Sequence, residues 1–235
     1  MQHRGIYLLL QAALALALTS PLCPRVWQLA PSGLVLSPAA GPLVPLGSPA
    51  AADLNGDGQS ERLALAGGRA TILAGEKLLW QSPSDWEVTQ TALTDLNHDG
   101  VPEVTLLVWR TFRPWPVDRW LPHGGRISGF HDGQGNSCQL ILIGWRGDSY
   151  GELWAGSALA RPVTHFAAAD LNGDGAQELA VLQGRYASRG STPPQALNIW
   201  IWNGFGFDLV SSVEGSFFDL SLAEDGPGRV VVIAP

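Results

Sequence analysis

One acidic loop occurs three times in this chain, and it constrains the fold more than any other feature. The copies span residues 53–61, 95–103 and 170–178, and each has Asp at position 1, Asn at 3, Asp at 5, Gly at 6 and Glu at 9. Closely spaced oxygen ligands, followed by a Gly that lets the chain reverse, suit a Ca²⁺ ion. The repeat therefore predicts both a metal and a repeated structural unit.

A helical calcium loop begins in the same way, but it needs a closing carboxylate at position 12. This chain has Ala64, Leu106 and Val181 there. Short apolar runs flank each loop instead, at residues 50–52, 91–94 and 166–169 before the loops and 62–68, 104–109 and 179–184 after them. Such runs are typical of buried strands. The repeated unit is therefore strand, loop, strand.

This unit resembles the FG-GAP or VCBS repeat, the calcium-loop repeat of integrin-type β-propellers. The resemblance covers the loops and their flanking strands closely, and the outer parts of the repeats loosely. It implies about three Ca²⁺ sites, each formed by the side chains at positions 1, 3, 5 and 9 and the backbone carbonyl at position 7. The implied ligands are Asp53, Asn55, Asp57, Gln59 and Glu61 in the first loop, Asp95, Asn97, Asp99, Val101 and Glu103 in the second, and Asp170, Asn172, Asp174, Ala176 and Glu178 in the third.

The alternative is that Asn-Gly and Asp-Gly pairs simply make tight hairpin turns without metal. A bare turn has no need of a Glu three residues after its Gly, yet all three copies keep it. We therefore expect metal binding. His98 replaces the Gly at position 4 of the second loop, and we expect an exposed side chain that leaves the ligands in place.

The rest of the repeat indicates how many units the chain contains. Two outer hairpins match at fixed offsets, with Trp27, Leu29, Gly33, Leu34 and Leu36 aligned on Trp200, Trp202, Gly206, Phe207 and Leu209. Residues 223–233 look like a fourth loop that has lost its ligands but kept its strand. The chain thus begins with an outer hairpin and ends with an inner one. Pairing them would complete the last unit and remove exposed sheet edges.

We predict an all-β fold in which residues 21–235 form one four-bladed β-propeller, closed by N-terminal outer strands that pair with C-terminal inner strands. The alternative is a fragment of a larger propeller that assembles with another chain; we expect a monomer. Composition agrees, since 46% of the residues are hydrophobic, only 15% are charged, and there are 28 Gly and 17 Pro. That profile is typical of many short strands joined by turns.

Charge and the N-terminus bear on partners and location. The net charge is −7 while the three loops hold nine carboxylates, so the acidity is concentrated at the loops and argues against nucleic acid as a partner. Residues 1–20 combine a basic start, an apolar stretch and a polar end, which predicts a secretory signal or a short membrane anchor. We therefore expect an extracytoplasmic protein, secreted or on the cell surface. Export also permits a disulfide between Cys23 and Cys138.

The second repeat contains extra chain at about residues 110–136. Long loops on rigid scaffolds often bind ligands. The notable side chains here are Arg110, Arg113, Trp115, Asp118, Arg119, Trp120, His123, Arg126, His131 and Asp132.

Three interpretations of this insertion remain open. In the first, Trp115 and Trp120 stack on a carbohydrate or a protein ligand while the arginines bind an anionic group. In the second, the chain is an extracytoplasmic hydrolase or lyase with an acid and a base from the insertion; the candidates are Asp118 or Asp132 with His123 or His131. In the third, the aromatic residues anchor the insertion to the fold.

No nucleophile elbow, zinc-protease motif or phosphate loop supports an enzyme, so we assign no catalytic residue. The predicted function is an exported calcium-binding propeller that acts as a binding or structural module. Most other tryptophans fall in or beside predicted strands, where we expect them to pack between blades; these are Trp80, Trp109, Trp145, Trp154, Trp200 and Trp202.

Overall fold

The computed structural model describes residues 25–39, 41–114, 120 and 129–235. The predicted signal or anchor at residues 1–20 lies outside these ranges, as do Cys23, Trp115, Asp118, Arg119, His123 and Arg126. The described chain has 17 β-strands and one short 3₁₀ helix, Tyr186–Ser188. No helix in these ranges is long and apolar enough to cross a membrane. The all-β class is confirmed.

The strands form four antiparallel sheets, named I to IV here. The chain starts with β1 (Val26–Ala30), β2 (Gly33–Leu36) and β3 (Val44–Pro45), which belong to sheet IV. Sheet I contains β4 (Ala51–Ala52), β5 (Glu61–Ala66), β6 (Arg69–Ala74) and β7 (Lys77–Gln81). Sheet II contains β8 (Glu87–Thr94), β9 (Glu103–Thr111), β10 (Asn136–Trp145) and β11 (Tyr150–Ala155). Sheet III contains β12 (Val163–Ala169), β13 (Glu178–Gln183), β14 (Ala196–Trp202) and β15 (Phe207–Glu214), and sheet IV adds β16 (Ser221–Glu224) and β17 (Val230–Ile233).

Sheet IV is built from both ends of the described chain. Its strand order is β2, β1, β17, β16, β3. Strand β1 pairs antiparallel with β17, with Val26 opposite Ile233 and Trp27 opposite Val232. The predicted pairing of N-terminal outer strands with C-terminal inner strands is confirmed. The short strand β3, which pairs with β16, was not predicted.

The sequence alignment of the outer hairpins is also confirmed by the register. Trp27 lies opposite Leu36 in the β1–β2 hairpin, and Trp200 lies opposite Leu209 in the β14–β15 hairpin. Both hairpins form the outer half of their sheets. Each acidic loop follows one strand and precedes another, as predicted. The connection between β9 and β10 spans residues 112–135, so Arg110 lies in a strand rather than in the insertion.

Three apolar clusters join the sheets in the order I, II, III, IV. Successive residues of a strand face opposite sides, so each central sheet contributes to two clusters. Leu106 of β9 belongs to the cluster between sheets I and II, whereas its neighbour Leu107 belongs to the cluster between sheets II and III. Val181 and Leu182 of β13 divide in the same way between the second and third clusters. Both strands are therefore buried along most of their length.

No apolar cluster joins sheet IV to sheet I among the described residues. The other face of sheet IV carries a small cluster of Val26, Ala223 and Val231 with Leu43 and Ile233, and this cluster includes no described residue of sheet I. On sheet I, Leu78 lies opposite Leu73 and is 52% exposed. Apolar clusters thus pack the junctions I–II, II–III and III–IV, and none is found between sheets IV and I in the described part of the chain.

Tryptophans pack between the sheets, as predicted. Trp154 of sheet II meets Trp202 and Phe207 of sheet III edge to face, with ring centroids 5.6 and 5.3 Å apart. Trp80 and Trp145 pack against the cluster between sheets I and II, and Trp109 and Trp200 belong to the next one. The first strands also meet, because the Gln90 side chain of β8 bonds both backbone groups of Phe166 in β12.

Trp27 offers a test of how much the joining of the two chain ends contributes. It is 6% exposed, packs against Phe217 and has an indole N–H that is buried without a partner. We expect Trp27→Ala to lower the free energy of unfolding by about 3–5 kcal/mol, because a large side chain is lost from the third cluster. Trp27→Phe should cost much less, since it keeps a ring and removes the unpaired donor. Urea denaturation measures both; equal, small effects would contradict a stabilising role for this pairing.

Candidate functional site

The three acidic loops join the first and second strands of sheets I, II and III. They lie side by side at one end of the molecule, called the loop end here. Asn55 of the first loop and Asp99 of the second line the same cavity. The His98 Nε2 of the second loop donates to the carbonyl of Gln177 in the third at 3.0 Å, and the Gln177 side chain accepts the Asp95 N–H at 2.9 Å.

Each loop is shaped by its own acidic and amide side chains. In the first loop the Asp53 carboxylate accepts the N–H groups of Gly56 at 2.7 Å and Gly58 at 2.9 Å. Asn55 accepts the N–H of Asp57 at 2.8 Å. The bond from the Gly58 N–H contributes most to holding the pKa of Asp53 below its usual value. Side chains at positions 1, 3 and 5 therefore organise the backbone.

The same pattern recurs in the other two loops. Asp95 accepts the Gly100 N–H at 3.2 Å, and Asp170 accepts the Gly175 N–H at 2.9 Å. His98 has a left-handed backbone with φ of 59°, close to the 77° of Gly56 and the 84° of Gly173 at the same position. The substitution therefore leaves the loop conformation unchanged, and the side chain is exposed as expected.

The Glu at position 9 fastens each loop to the strand that follows. Glu61, Glu103 and Glu178 are at most 2% exposed. Each accepts the backbone N–H of the Leu at position 2, at 2.8 Å in all three loops. These leucines are Leu54, Leu96 and Leu171, and they lie in the first, second and third apolar clusters respectively.

Position 2 therefore anchors each loop in the junction with the next sheet. Sequence reasoning missed this role, although the signal was present, because Leu occupies position 2 in all three copies.

The Asn at position 3 draws the carboxylates of its loop together. The Asn55 amide donates to Asp57 at 3.4 Å and to Glu61 at 3.0 Å. In the third loop, the corresponding distances from Asn172 to Asp174 and Glu178 are 2.9 and 2.8 Å. In the second loop Asn97 donates to Asp99 at 2.9 Å.

The second loop leaves two buried oxygens without a partner. One oxygen of Glu103 accepts bonds from the Thr94 hydroxyl at 2.7 Å and the Leu96 N–H at 2.8 Å. Its other oxygen is buried and unpaired, as is Oδ1 of Asp95. Burial raises the pKa of Glu103 to about 7, and the charges of Asp95 and Asp99 act in the same direction. Unpaired buried acceptors are groups that a cation would satisfy, so this loop fits a metal by its donor chemistry.

The predicted ligands are only partly brought together. Within the described ranges, no three Asp, Glu, His or Cys side chains are grouped as they would be around a metal ion. In the first and third loops the Asn amide lies between the carboxylates at positions 5 and 9. The loops thus supply oxygen donors of the kind that Ca²⁺ binds. In the first and third loops, two of these carboxylates are bonded to the same Asn side-chain amide.

The turn between β16 and β17 joins two neighbouring strands of sheet IV, as the acidic loops do in sheets I to III. Asp225 is 2% exposed, accepts the Gly41 N–H at 3.0 Å and pairs with the Arg229 guanidinium at 3.5 Å. Gly226 follows it where the other loops have Leu. This turn therefore has a buried carboxylate paired with a side-chain cation, and it lacks a Leu anchor after that carboxylate.

At the opposite end, the described part of the insertion is held by hydrogen bonds. Asp132 is 5% exposed and accepts the N–H groups of Gln134 and Asn136 and the Arg189 guanidinium, each at 2.9 Å. Burial alone would raise the pKa of Asp132, but these bonds hold it below its usual value. His131 donates to the Asp132 carbonyl at 2.8 Å. Asp132 and His131, two of the candidate acid and base residues, therefore form hydrogen bonds that hold the loop of the insertion in shape.

Arg189 is the centre of this cluster. Besides Asp132 it binds Glu87 at 2.8 Å, and its guanidinium lies 3.8 Å from the centre of the Trp109 ring. It links sheet II, the insertion and the segment after β13. Trp120, in contrast, is 74% exposed.

Cys138 is a free thiol that is fully buried in the second cluster. Burial raises its pKa to about 12. A buried thiol with so high a pKa is unreactive, which fits a packing role. Its predicted disulfide partner, Cys23, lies outside the described residues.

Comparisons with known proteins add no family to this description. No protein-family model, curated protein or solved structure matches the chain. Any functional conclusion therefore depends on the loops, the sheets and the polar cluster themselves.

Replacing Arg189 tests the cluster that joins sheet II to the insertion. We expect Arg189→Leu to lower the free energy of unfolding by about 3 kcal/mol at pH 7, because the buried Asp132 loses its cation. Glu87→Gln is the control and should change it by less than about 1 kcal/mol, since Glu87 is 55% exposed.

The effect of Arg189→Leu should also depend on pH. The pKa of Asp132 is lowered on folding, so its contribution is complete above the unfolded pKa of about 3.9 and is lost as pH falls through the lower folded value. Denaturation curves at pH 7 and pH 3 measure this; an equal loss at both would exclude the ion pair as the cause.

Proposed function

We propose that this chain is an exported, monomeric, calcium-stabilised β-propeller of the FG-GAP/VCBS type, and that it serves as a binding or structural module. The observation that carries the proposal is the repetition of one anchored loop in three consecutive sheets. In each, Glu at position 9 binds the N–H of Leu at position 2, and that Leu enters the junction with the next sheet.

The sheet arrangement supports a propeller. Sheets I, II and III each contain four consecutive antiparallel strands, and sheet IV joins the two ends of the described chain. The first strands of sheets II and III meet through Gln90 and Phe166, as strands near a common axis would. Joining both termini in one sheet is a way of closing a repeat fold without free edges.

The described residues form no apolar cluster between sheets IV and I, and this bears on the alternative that the chain is part of a larger propeller. Exposed apolar side chains such as Leu78 lie on the face of sheet I that points away from sheet II. This feature favours the alternative in which the chain joins another chain in a larger propeller. We prefer the closed single chain because β1 and β17 already pair across the ends.

The donor set of the loops supports calcium. The groups that would hold it are the side chains at positions 1, 3, 5 and 9 and the carbonyl oxygen at position 7, which are all oxygen donors. The second loop supplies unpaired buried oxygens of Asp95 and Glu103. When bound, Ca²⁺ would neutralise carboxylates that otherwise repel one another. Millimolar calcium outside the cytoplasm, where residues 1–20 would direct the chain, can fill even weak sites.

The competing function is an extracytoplasmic hydrolase or lyase with its site in the insertion. Two of its four candidate groups are Asp132 and His131, and both are engaged in bonds that shape the loop. The other two, Asp118 and His123, lie outside the described residues. The structural bonds of Asp132 and His131 therefore favour a binding or structural module over an enzyme.

Calcium binding tests the proposal directly. Calorimetry on residues 21–235 should give about three sites, with a higher melting temperature in calcium than in chelator. Each independent site would add about 2.7 kcal/mol at a calcium concentration one hundred times its Kd. Asp57→Asn, which keeps an oxygen to accept the Gln59 N–H, should lower the melting temperature in calcium and change it little in chelator. Equal losses in both conditions would reject metal coordination.

Glu103→Gln provides a test in which the sign changes with the metal. In chelator we expect this variant to be more stable than the wild type by about 1 kcal/mol, because the buried charge with an unpaired oxygen is removed. In calcium it should be less stable than the wild type, because a ligand is lost.

Glu178→Gln is the matched control for that test. Both oxygens of Glu178 already accept bonds, from Leu171 and Asn172, so an amide there should destabilise in chelator as well. Thermal unfolding in both conditions separates the cases; a Glu103→Gln variant that is destabilised in chelator would contradict the role given to the unpaired oxygen.

A further inference from the structure

A polar cavity of about 340 Å³ opens at the end of sheet II opposite the loop end. It is formed where β9 ends, β10 begins and β11 ends. The residues that matter for its chemistry are Asp85, Arg110, Thr111, Arg113, Gln139 and Ser157. Its volume is at the lower end of the range for small-molecule sites, which suits a ligand the size of one sugar.

Strand register brings the two central residues to one face. Arg110 lies opposite Ser137, and Val108, two residues earlier, lies opposite Gln139. Residues two apart on a strand, and residues directly opposite each other, share a face. Arg110 and Gln139 are therefore neighbours on the side of sheet II that faces sheet I. The Arg110 guanidinium lies 5.3 Å from the ring centre of the buried Trp86.

Gln139 presents an acceptor that no described group satisfies. Its side chain is buried at 6% exposure, and its amide N–H donates to the Ser137 hydroxyl at 3.0 Å. Its carbonyl oxygen Oε1 is buried and has no partner. Since buried acceptors are nearly always hydrogen-bonded, this oxygen indicates a donor on a bound molecule.

The two arginines are available to an anion. Neither Arg110 nor Arg113 forms a side-chain hydrogen bond or an ion pair within the described part of the chain. Burial lowers the pKa of Arg110 below its usual value. The carboxylates of Glu152 and Asp85 raise that pKa, and the charge of Arg113 lowers it. Two guanidinium groups in one cavity, whose N–H donors no described side chain accepts, suit a carboxylate, which accepts two parallel bonds.

We propose that this cavity binds an acidic sugar of the hexuronic acid class. The carboxylate accepts bonds from Arg110 and Arg113, and a sugar hydroxyl donates to Oε1 of Gln139. An anion without an O–H or N–H group, such as acetate, has no donor for Gln139, and a neutral sugar leaves the arginines unpaired, so the cavity selects a molecule with both groups. Asp85 and Ser157 are further partners for sugar hydroxyls. The inference deepens the proposed binding role and rests on it, but it does not depend on calcium, because the cavity is at the other end.

The test uses residues 21–235 and measures binding by calorimetry, with the total tryptophan fluorescence, to which Trp86 contributes, as a second signal. The probes are D-galacturonate and D-glucuronate, with acetate and D-glucose as controls that each lack one of the two groups. We expect at least one uronate to bind ten times more tightly than either control. The methyl glycoside of that uronate distinguishes a free acid from the end of a polysaccharide chain, according to which of the two binds more tightly.

Two variants and one control locate the binding. Arg110→Gln should weaken uronate binding at least tenfold by removing the charge. Gln139→Leu should weaken it about tenfold with only a small loss of melting temperature, because the lost acceptor has no partner in the free protein and only the bond to the Ser137 hydroxyl is given up. Arg62→Gln removes the same charge from an exposed position on sheet I and should leave the affinity unchanged.

Three results would overturn the inference: no uronate binding by a chain that melts normally, equal affinity for acetate or glucose, or full affinity in Arg110→Gln. Calcium stabilisation, measured on the same samples, keeps the two proposals apart. A chain that gains stability from calcium but binds no uronate would overturn the sugar site alone. A chain that binds uronate but gains nothing from calcium would overturn the metal loops alone.

Discussion

The hydrogen bond from the N–H of Leu at position 2 to the Glu at position 9 is the interaction on which the rest of the fold depends. It closes each acidic loop onto the first residue of the next strand and directs the Leu side chain into the junction with the neighbouring sheet. A local loop is thereby coupled to the packing of two sheets. Any ion that tightens the loop would strengthen the junction, which is how a surface metal can stabilise a whole domain.

The two ends of the molecule differ in their charged groups. The loop end collects nine carboxylates, whereas the other end has Arg110, Arg113 and Arg189 near sheet II mixed with the carboxylates of Asp85, Glu87 and Asp132. Arg189 forms ion pairs with Asp132 and Glu87, and these pairs hold the described part of the insertion against sheet II. Arg110 and Arg113 have no side-chain hydrogen-bond or ion-pair partner among the described residues, and they lie beside the sheet and insertion that Arg189 links. The acidic loops and these arginines thus lie at different ends, and a change at one need not disturb the other.

Local sequence patterns predicted much of this architecture. The three loops and their flanking strands could be read because each unit is contiguous, and the match of Trp27 with Trp200 placed the N-terminal hairpin in sheet IV. The Arg189 cluster could not be read, because its partners Asp132 and Glu87 are 57 and 102 residues away in sequence. Strand β3 has only two residues and no alternating pattern. The unpaired oxygen of Gln139 depends on burial, which sequence does not record.

The turn between β16 and β17, which contains Asp225 and Arg229, can be compared with the three acidic loops to show what charge contributes. Asp225 of the β16–β17 turn pairs with Arg229, whereas the three acidic loops have clustered carboxylates that pair with no Arg or Lys side chain among the described residues. Where Arg229 is present, the Glu at position 9 and the Leu at position 2 are absent, and no apolar cluster of the described residues joins this sheet to sheet I. A covalently attached cation therefore neutralises its loop but does not fasten it to the next sheet. Fastening needs the Glu and Leu pair, and loops that keep this pair also keep the excess negative charge that a calcium ion would balance.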